Sequence, residues 1–522
     1  MANRFWVTGG NGNWNSTTNW STSTGGASGA SVPSSSDAAI FDASSGAGTA
    51  VLDISPTIQT LNFSGFTGTF NFQTNNISVN STGTVFTGST AMTVLGTPVV
   101  NCTNASATSR TISPQIVTEA NSISFNITAG TGNITVTTAH TVKDLNFTGF
   151  SGAWAAFSCV VYGNLVVSAT TTISAGGVVT FSKASGIQTF TSNNVTFDRG
   201  VTVNGTGTLQ LQDNLTMGST RTFTLTAGTL DLSSGNRTLS TGIFSSNNSN
   251  TRSIAFGTGN VTLTQNAATI WNTVTSTNFS VTGTPTVNVT YAGSTGTRTI
   301  NGGAVIATSE ANSINFNISA GSDTVAVNNA LYKNLNFTGF SGAVTTSSTR
   351  VYGNLTIPAT VTSVTGNLIQ FAGTSGTQTV VTNGITIAST AIQIVGGSTV
   401  VFNDALTATG TQFVFTLGTI KFKSGVTSTI SGFIISGTTQ KFLQSTTPGS
   451  QATLSQASGT VDASYLTVQD INAVGGATWN AFVNQQNVDA GNNDGWDFGI
   501  SPIVGSYEYT YQLRSFTQPR RF

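Results

Sequence analysis

Three aspartates, Asp198, Asp213 and Asp231, follow one another at spacings of 15 and 18 residues in a chain that has only 17 acidic residues among 522. Glycoside hydrolysis generally uses two carboxylates facing one sugar, and spacings near one coil of a repeat could line such carboxylates along one face. The chain carries its own control. A long stretch recurs about 190 positions later, and there Ala388 and Lys421 stand where the first copy has Asp198 and Asp231. Asp213 recurs as Asp404 and reads as a turn former. His140 is the only histidine and has Ala330 as its counterpart. A Ser-His-Asp triad would depend on it, and no Gly-x-Ser-x-Gly elbow brings a serine forward.

Other groupings read as architecture. Arg110 and Glu119 recur as Arg298 and Glu310, and each Arg–Glu couple is expected to form a turn-stabilising pair worth roughly 0–1 kcal/mol at the surface. Asp489, Asn492, Asn493, Asp494 and Asp497 are the densest set of oxygen ligands. Their spacing departs from the EF-hand loop, so a tight turn is the first reading and a Ca²⁺-supported turn the second. Cys102 and Cys159 fall at non-equivalent places in the two copies, which implies no disulfide framework. With no His/Cys cluster, no transition-metal site and no cofactor is expected.

The elements that would position these residues are short strands. Leu145-Asn-Phe-Thr-Gly-Phe150 recurs as Leu335-Asn-Phe-Thr-Gly-Phe340, and Val161-Tyr-Gly-Asn-Leu165 as Val351-Tyr-Gly-Asn-Leu355. In register with them, Glu119-Ala-Asn-Ser-Ile123 matches Glu310-Ala-Asn-Ser-Ile314. Segments such as Thr208-Leu-Gln-Leu-Gln212 alternate apolar and polar residues between Gly, Asn, Ser and Asp, the mark of half-buried strands. No helical stripe is present. A long tandem copy of this kind predicts an all-β solenoid, an elongated parallel β-helix, in which each coil covers the open end of its neighbour. Coils of roughly 20–25 residues give about 18–22 rungs, and at ~4.8 Å per rung the shaft is on the order of 90–105 Å long. A tandem array of antiparallel β-sandwiches is the alternative.

Five regions are expected: a Trp-rich cap or attachment segment over 1–50, first rungs over 51–93, the first copy over 94–280, the second copy with terminal rungs over 281–500, and an aromatic, basic arm over 501–522. Charged residues are 7% of the chain, against about 25% in ordinary domains. Stacking accounts for the shortage, because like charges repeated at ~4.8 Å repel by about 0.9 kcal/mol even in water. Net charge is zero, so there is no electrostatic footprint for nucleic acid. No apolar run reaches membrane-spanning length, which predicts no membrane insertion. The N-terminus lacks the profile of a signal peptide.

Both ends carry a resemblance. Asn3-Arg-Phe-Trp-Val-Thr-Gly-Gly-Asn-Gly-Asn-Trp14, Asn19-Trp20, Val32-Pro33 and Ile40-Phe-Asp42, with Tyr465-Leu-Thr-Val-Gln-Asp470, Gly475-Gly-Ala-Thr-Trp479 and Asp489-Ala-Gly-Asn-Asn-Asp-Gly-Trp496, resemble the ends of β-helical appendage proteins of tailed bacteriophages. Secreted bacterial β-solenoid repeat proteins share a looser version. The resemblance implies a non-enzymatic virion fibre or surface appendage, homotrimeric, made in the host cytoplasm and displayed on the virion surface. Trp6, Trp14 and Trp20 would attach it to other virion proteins or cap it, and Tyr507, Tyr509, Tyr511, Arg514, Arg520 and Arg521 would form an interface arm. The exposed shaft suits multivalent contact with host surface glycans. A capsid-decorating fibre, a bacterial surface or matrix filament and a polysaccharide-degrading tailspike are the alternatives.

Overall fold

The computed structural model describes residues 1–137, 140–155, 157–302, 310–329, 331–410 and 412–501. The chain is a parallel β-solenoid of about 20 turns. Among the described residues every pair of strands but one is parallel, the exception being Ala2–Trp6 against Trp20–Ser21. That pattern excludes the antiparallel sandwich array. Helical structure among the described residues is limited to three single 3₁₀ turns, and no helix is long and apolar enough to cross a membrane.

Each coil has three sides. In the N-terminal part these sides are separate ladders of 9, 4 and 11 strands; further on, long strands such as Ser363–Phe371 and Ile387–Ile394 bend around corners and fuse the sides into one sheet of 32 strands. Coil length varies from 17 residues between Trp479 and Trp496 to 29 between Asn288 and Asn317, with a longer first coil of 38 between Gly12 and Ala50, a wider range than the sequence spacing predicts. The stack tolerates this because extra residues loop outward at corners while the strands keep register.

Local chemistry explains the recurring motifs. In Leu145–Phe150 the side chains of Leu145, Phe147 and Phe150 are buried, and Asn146 Oδ1 accepts from the Thr148 amide at 2.9 Å and its hydroxyl at 2.7 Å. Gly149 has φ +91°, and a Cβ there would lie 2.5 Å from the Thr128 carbonyl oxygen. Only glycine fits both demands. Leu335–Phe340 builds the same corner, with Asn336 holding Thr338 and Gly339 at φ +97°. Leu61–Phe66 builds it a third time, with Asn62 holding the Ser64 amide and Gly65 at φ +84°.

One continuous core runs from Trp6 to Ala481. At its N-terminal end Trp6, Trp14 and Trp20 are at most 1% exposed and pack edge-on within 5.3 Å, above Phe41, Phe63 and Phe70. The Trp20 indole donates to the Trp14 carbonyl at 2.9 Å. These indoles plug the column rather than face outward. At the other end Trp479 and Trp496 meet at 5.1 Å.

Candidate functional site

The residues shared by the two copies sort into those that hold the coil together and those that do not. Between the strands Arg110–Ser113 and Ser124–Ile127 the chain leaves the ladder as a strap that carries Glu119. Its base is fixed by Ser122, whose hydroxyl donates to the Glu119 carbonyl at 2.6 Å, and by Asn121, which accepts from the Val94 amide at 3.1 Å. The Glu119 carboxylate reaches 65 residues along the chain, accepting from the Ala184 amide at 3.3 Å and standing 3.9 Å from the Lys183 ammonium. Glu310 does the same in the second copy, accepting from the amide (3.3 Å) and hydroxyl (2.7 Å) of Thr374. Ser313 and Asn312 repeat the anchors at 2.6 and 3.1 Å. Each glutamate is therefore a clip that bridges several coils.

Beneath the second clip lies a cleft of about 270 Å³, lined by Val281, Pro285, Glu310, Lys333, Asn334 and Tyr352 among others. The matching residues in the first copy are Val94, Pro98, Glu119, Lys143, Asp144 and Tyr162, so a single residue type differs. Asn334 Oδ1 accepts from the Asn354 amide and Asp144 Oδ1 from the Asn164 amide, both at 2.7 Å. A Cβ at Gly163 or Gly353 would meet that oxygen at 2.3 or 2.5 Å, which accounts for the glycine of the Val-Tyr-Gly-Asn-Leu motif. Asn164 and Asn354 then accept from the amides of Thr189 and Thr379. Burial raises the Tyr162 hydroxyl above its ordinary pKa, and the nearby Glu119 carboxylate adds to the shift.

Two residue types remain outside this framework. The ammonium groups of Lys143 and Lys333 and the hydroxyls of Tyr162 and Tyr352 make no hydrogen bond or ion pair among the described residues, and both lysines are exposed.

No family model, curated protein or solved structure matches the chain.

The Arg–Glu couples expected from sequence do not form. Strand alternation turns Arg110 and Arg298 inward, at 1% and 0% exposure, while the glutamates clip the outside. Arg110 donates to the carbonyls of Asn104 (2.9 Å) and Ala129 (2.6 Å). Arg298 forms a buried pair with Asp323 at 2.6 and 2.7 Å. Arg199, Arg252 and Lys441 are buried as well. Arg199 lies 4.2 Å over the Trp154 ring and donates to the carbonyls of Trp154, Ala155, Phe157 and Ser174. Burial lowers the pKa of Arg110, Arg252 and Lys441, and brings Arg199 down to about 10. Alternation within a strand marks Arg110, Arg252, Arg298 and Lys441 as inward, whereas no sequence signal marks Arg199, which precedes its strand.

The three aspartates have separate duties. Asp198 pairs with Arg221 at 2.7 Å, Asp213 caps the amides of Ser192 and Asn193, and Asp231 accepts from Gln210 and Ser233. Asp404 repeats the Asp213 cap on Thr382 and Asn383. In the C-terminal turn Asp489 holds Gly491 and Asn493, Asn492 donates to Asp470, Asp494 accepts from Gln451, and Asp497 holds the Gly499 amide. Among the described residues no three metal-ligating side chains of the His/Cys/Asp/Glu type converge. Tyr507, Tyr509, Tyr511, Arg514, Arg520 and Arg521 lie outside the described residues.

Proposed function

We propose that this chain is a non-enzymatic structural rod, a fibre or surface appendage of a tailed-phage particle that holds a polar surface toward the host. The observation that supports the reading best is the division of charge. Among the described residues five cations, Arg110, Arg199, Arg252, Arg298 and Lys441, are inside the column, and ladders such as Asn260–Asn288–Asn317 join successive coils outside through side-chain amides at 3.4 and 3.1 Å. A continuous parallel ladder over a single core resists bending, and an amide and hydroxyl exterior suits weak repeated contact with polar polymers. The homotrimeric state and an N-terminal end directed toward the particle are parts of the same proposal. Because the three N-terminal indoles are buried, attachment at that end would use the rim of the plug.

A degrading tailspike would need paired carboxylates. The engagement of Asp198 with Arg221, and of Asp213 and Asp231 with turn amides and side chains, weighs against these three residues in that role. The test is to label the chain on purified particles and image them. Label along tail or capsid projections supports the reading and distinguishes fibre from decoration; label confined to a cellular matrix, with particles bare, overturns it in favour of a bacterial filament. New reducing ends released from host polysaccharide would overturn the non-enzymatic part.

A further inference from the structure

We propose that the cleft beneath the second clip, and the matching residues beneath the first, are a stronger and a weaker binding site for a carboxylate-bearing sugar residue, such as a uronate within a surface polysaccharide. This deepens the host-contact reading and rests on it for the source of the sugar. The argument begins with what architecture leaves unexplained. Glutamate, serine, asparagine and glycine at each cleft have structural partners repeated in both copies, but Lys143 and Tyr162, kept as Lys333 and Tyr352, have no hydrogen-bonding role in the coil. Packing accounts for the Tyr352 ring, which is 9% exposed, but retention of an exposed and unpaired cation at both places, in a chain so poor in charge, points to something that comes from outside.

The chemistry of the cleft selects the ligand. The lysine ammonium is free to pair with a carboxylate, and the glutamate is turned toward Ala184 or Thr374 by its clip bonds. Tyr352, 9% exposed, forms part of the cleft wall, where the outer edge of its ring can meet a pyranose, while Asn334 and Ser313 are already held by Asn315, Asn354 and Glu310. A neutral sugar would leave the ammonium unpaired on binding. The two sites are not equal, because Asp144 adds a negative charge beside Lys143 where Asn334 is neutral. An anionic sugar therefore binds the second cleft more tightly.

The sites also differ in direction. Leu145 stacks through Leu165, Phe190, Leu211, Leu209 and Leu230 toward Ile254, whereas Leu335 stacks through Phe316, Val287 and Val261 onto Leu239. Leu230 and Leu239 lie on different sides of one coil. About eight rungs separate the clefts, or roughly 40 Å along the axis, so one rod presents them on two sides.

The test is titration of the full chain with an oligoglucuronate of four residues and, in parallel, with its carboxyl-reduced neutral counterpart. The expected result is saturable binding of the acidic form at two sites, at least 10-fold tighter than the neutral form. Lys333→Met should remove the tighter site, Tyr352→Phe should keep it, and Asp144→Asn should bring the weaker site to within about 3-fold of the other. Equal binding of both oligosaccharides, or acidic binding unchanged by Lys333→Met together with Lys143→Met, overturns the proposal. Thermal melting of each variant separates lost binding from lost folding, since both lysines are exposed. Particle labelling stands apart from this titration: bare particles with intact binding sink only the phage reading, and labelled particles with no binding sink only the clefts.

Discussion

Arg110 and Arg298 occupy the same inward place in two related stretches of the column, and the protein keeps the two charges by different means. Each donates to an equivalent carbonyl, Ala129 for one and Ala320 for the other. Two residues before the register partner of the arginine, the second stretch has Asp323 and the first has Gly132. Arg298 is thus half of a buried ion pair, while Arg110 depends on backbone dipoles and the Phe150 ring 5.6 Å away. A buried guanidinium does not require a carboxylate when corner carbonyls converge on it. Once a carboxylate is present, however, neither partner can be lost alone.

That contrast fixes the order of expected effects. Asp323→Asn should be the most damaging, costing about 3–5 kcal/mol because it strands a buried charge, measured as a fall in denaturation midpoint. Pairing it with Arg298→Met should recover most of the loss. A mild single variant would break the comparison. Arg110→Met should cost less, about 1–3 kcal/mol, since it leaves two carbonyls without donors but no uncompensated ion.

The thiols sharpen the contrast by pH. Burial pushes Cys102 and Cys159 up to about 12 from an ordinary 9.0, and both belong to the first stretch. The folded state holds these protons where the unfolded chain releases them, so stability is intact below pH 9 and falls as pH rises toward 12. At pH 10 the loss should be about 1.4 kcal/mol per thiol. The Cys102→Val, Cys159→Thr double variant, which places in the first stretch the residues of the second, should flatten the alkaline limb of a pH–stability curve. Below pH 9 neither thiol should react with iodoacetamide until the chain unfolds. The smallest effects belong to the clips. Glu119→Gln and Glu310→Gln should each change stability by less than about 1 kcal/mol, with the Glu119 effect shrinking in high salt because only that clip includes an ammonium.

Much of this architecture is legible in the chain. Strict alternation in segments such as Thr208–Leu211, with Leu209 and Leu211 buried, and the repeated Asn-Phe-Thr-Gly corner suffice to predict coils of parallel strands. The site is less legible. Arg110 and Glu119 are near neighbours in sequence, which suggests a local pair, but alternation buries one and the strap carries the other across several coils. Glu119 meets Lys183, 64 positions away in the chain, through stacking that no local spacing encodes. The burial of Arg199 is similarly invisible, because it precedes its strand and enters a corner formed by Trp154 and Phe157 from earlier coils. The indoles of Trp6, Trp14 and Trp20 cluster in sequence, and only the plug geometry shows that they face inward.

The protein is a polar, charge-poor column that encloses Arg110, Arg199, Arg252, Arg298 and Lys441, and a high-resolution cryo-EM or crystallographic map of the isolated chain tests that most directly. It should show three-sided parallel coils about 4.8 Å apart, with the guanidinium groups of Arg110, Arg199, Arg252 and Arg298 enclosed within them. Antiparallel sheets, separate globules or those guanidinium groups in solvent would contradict it.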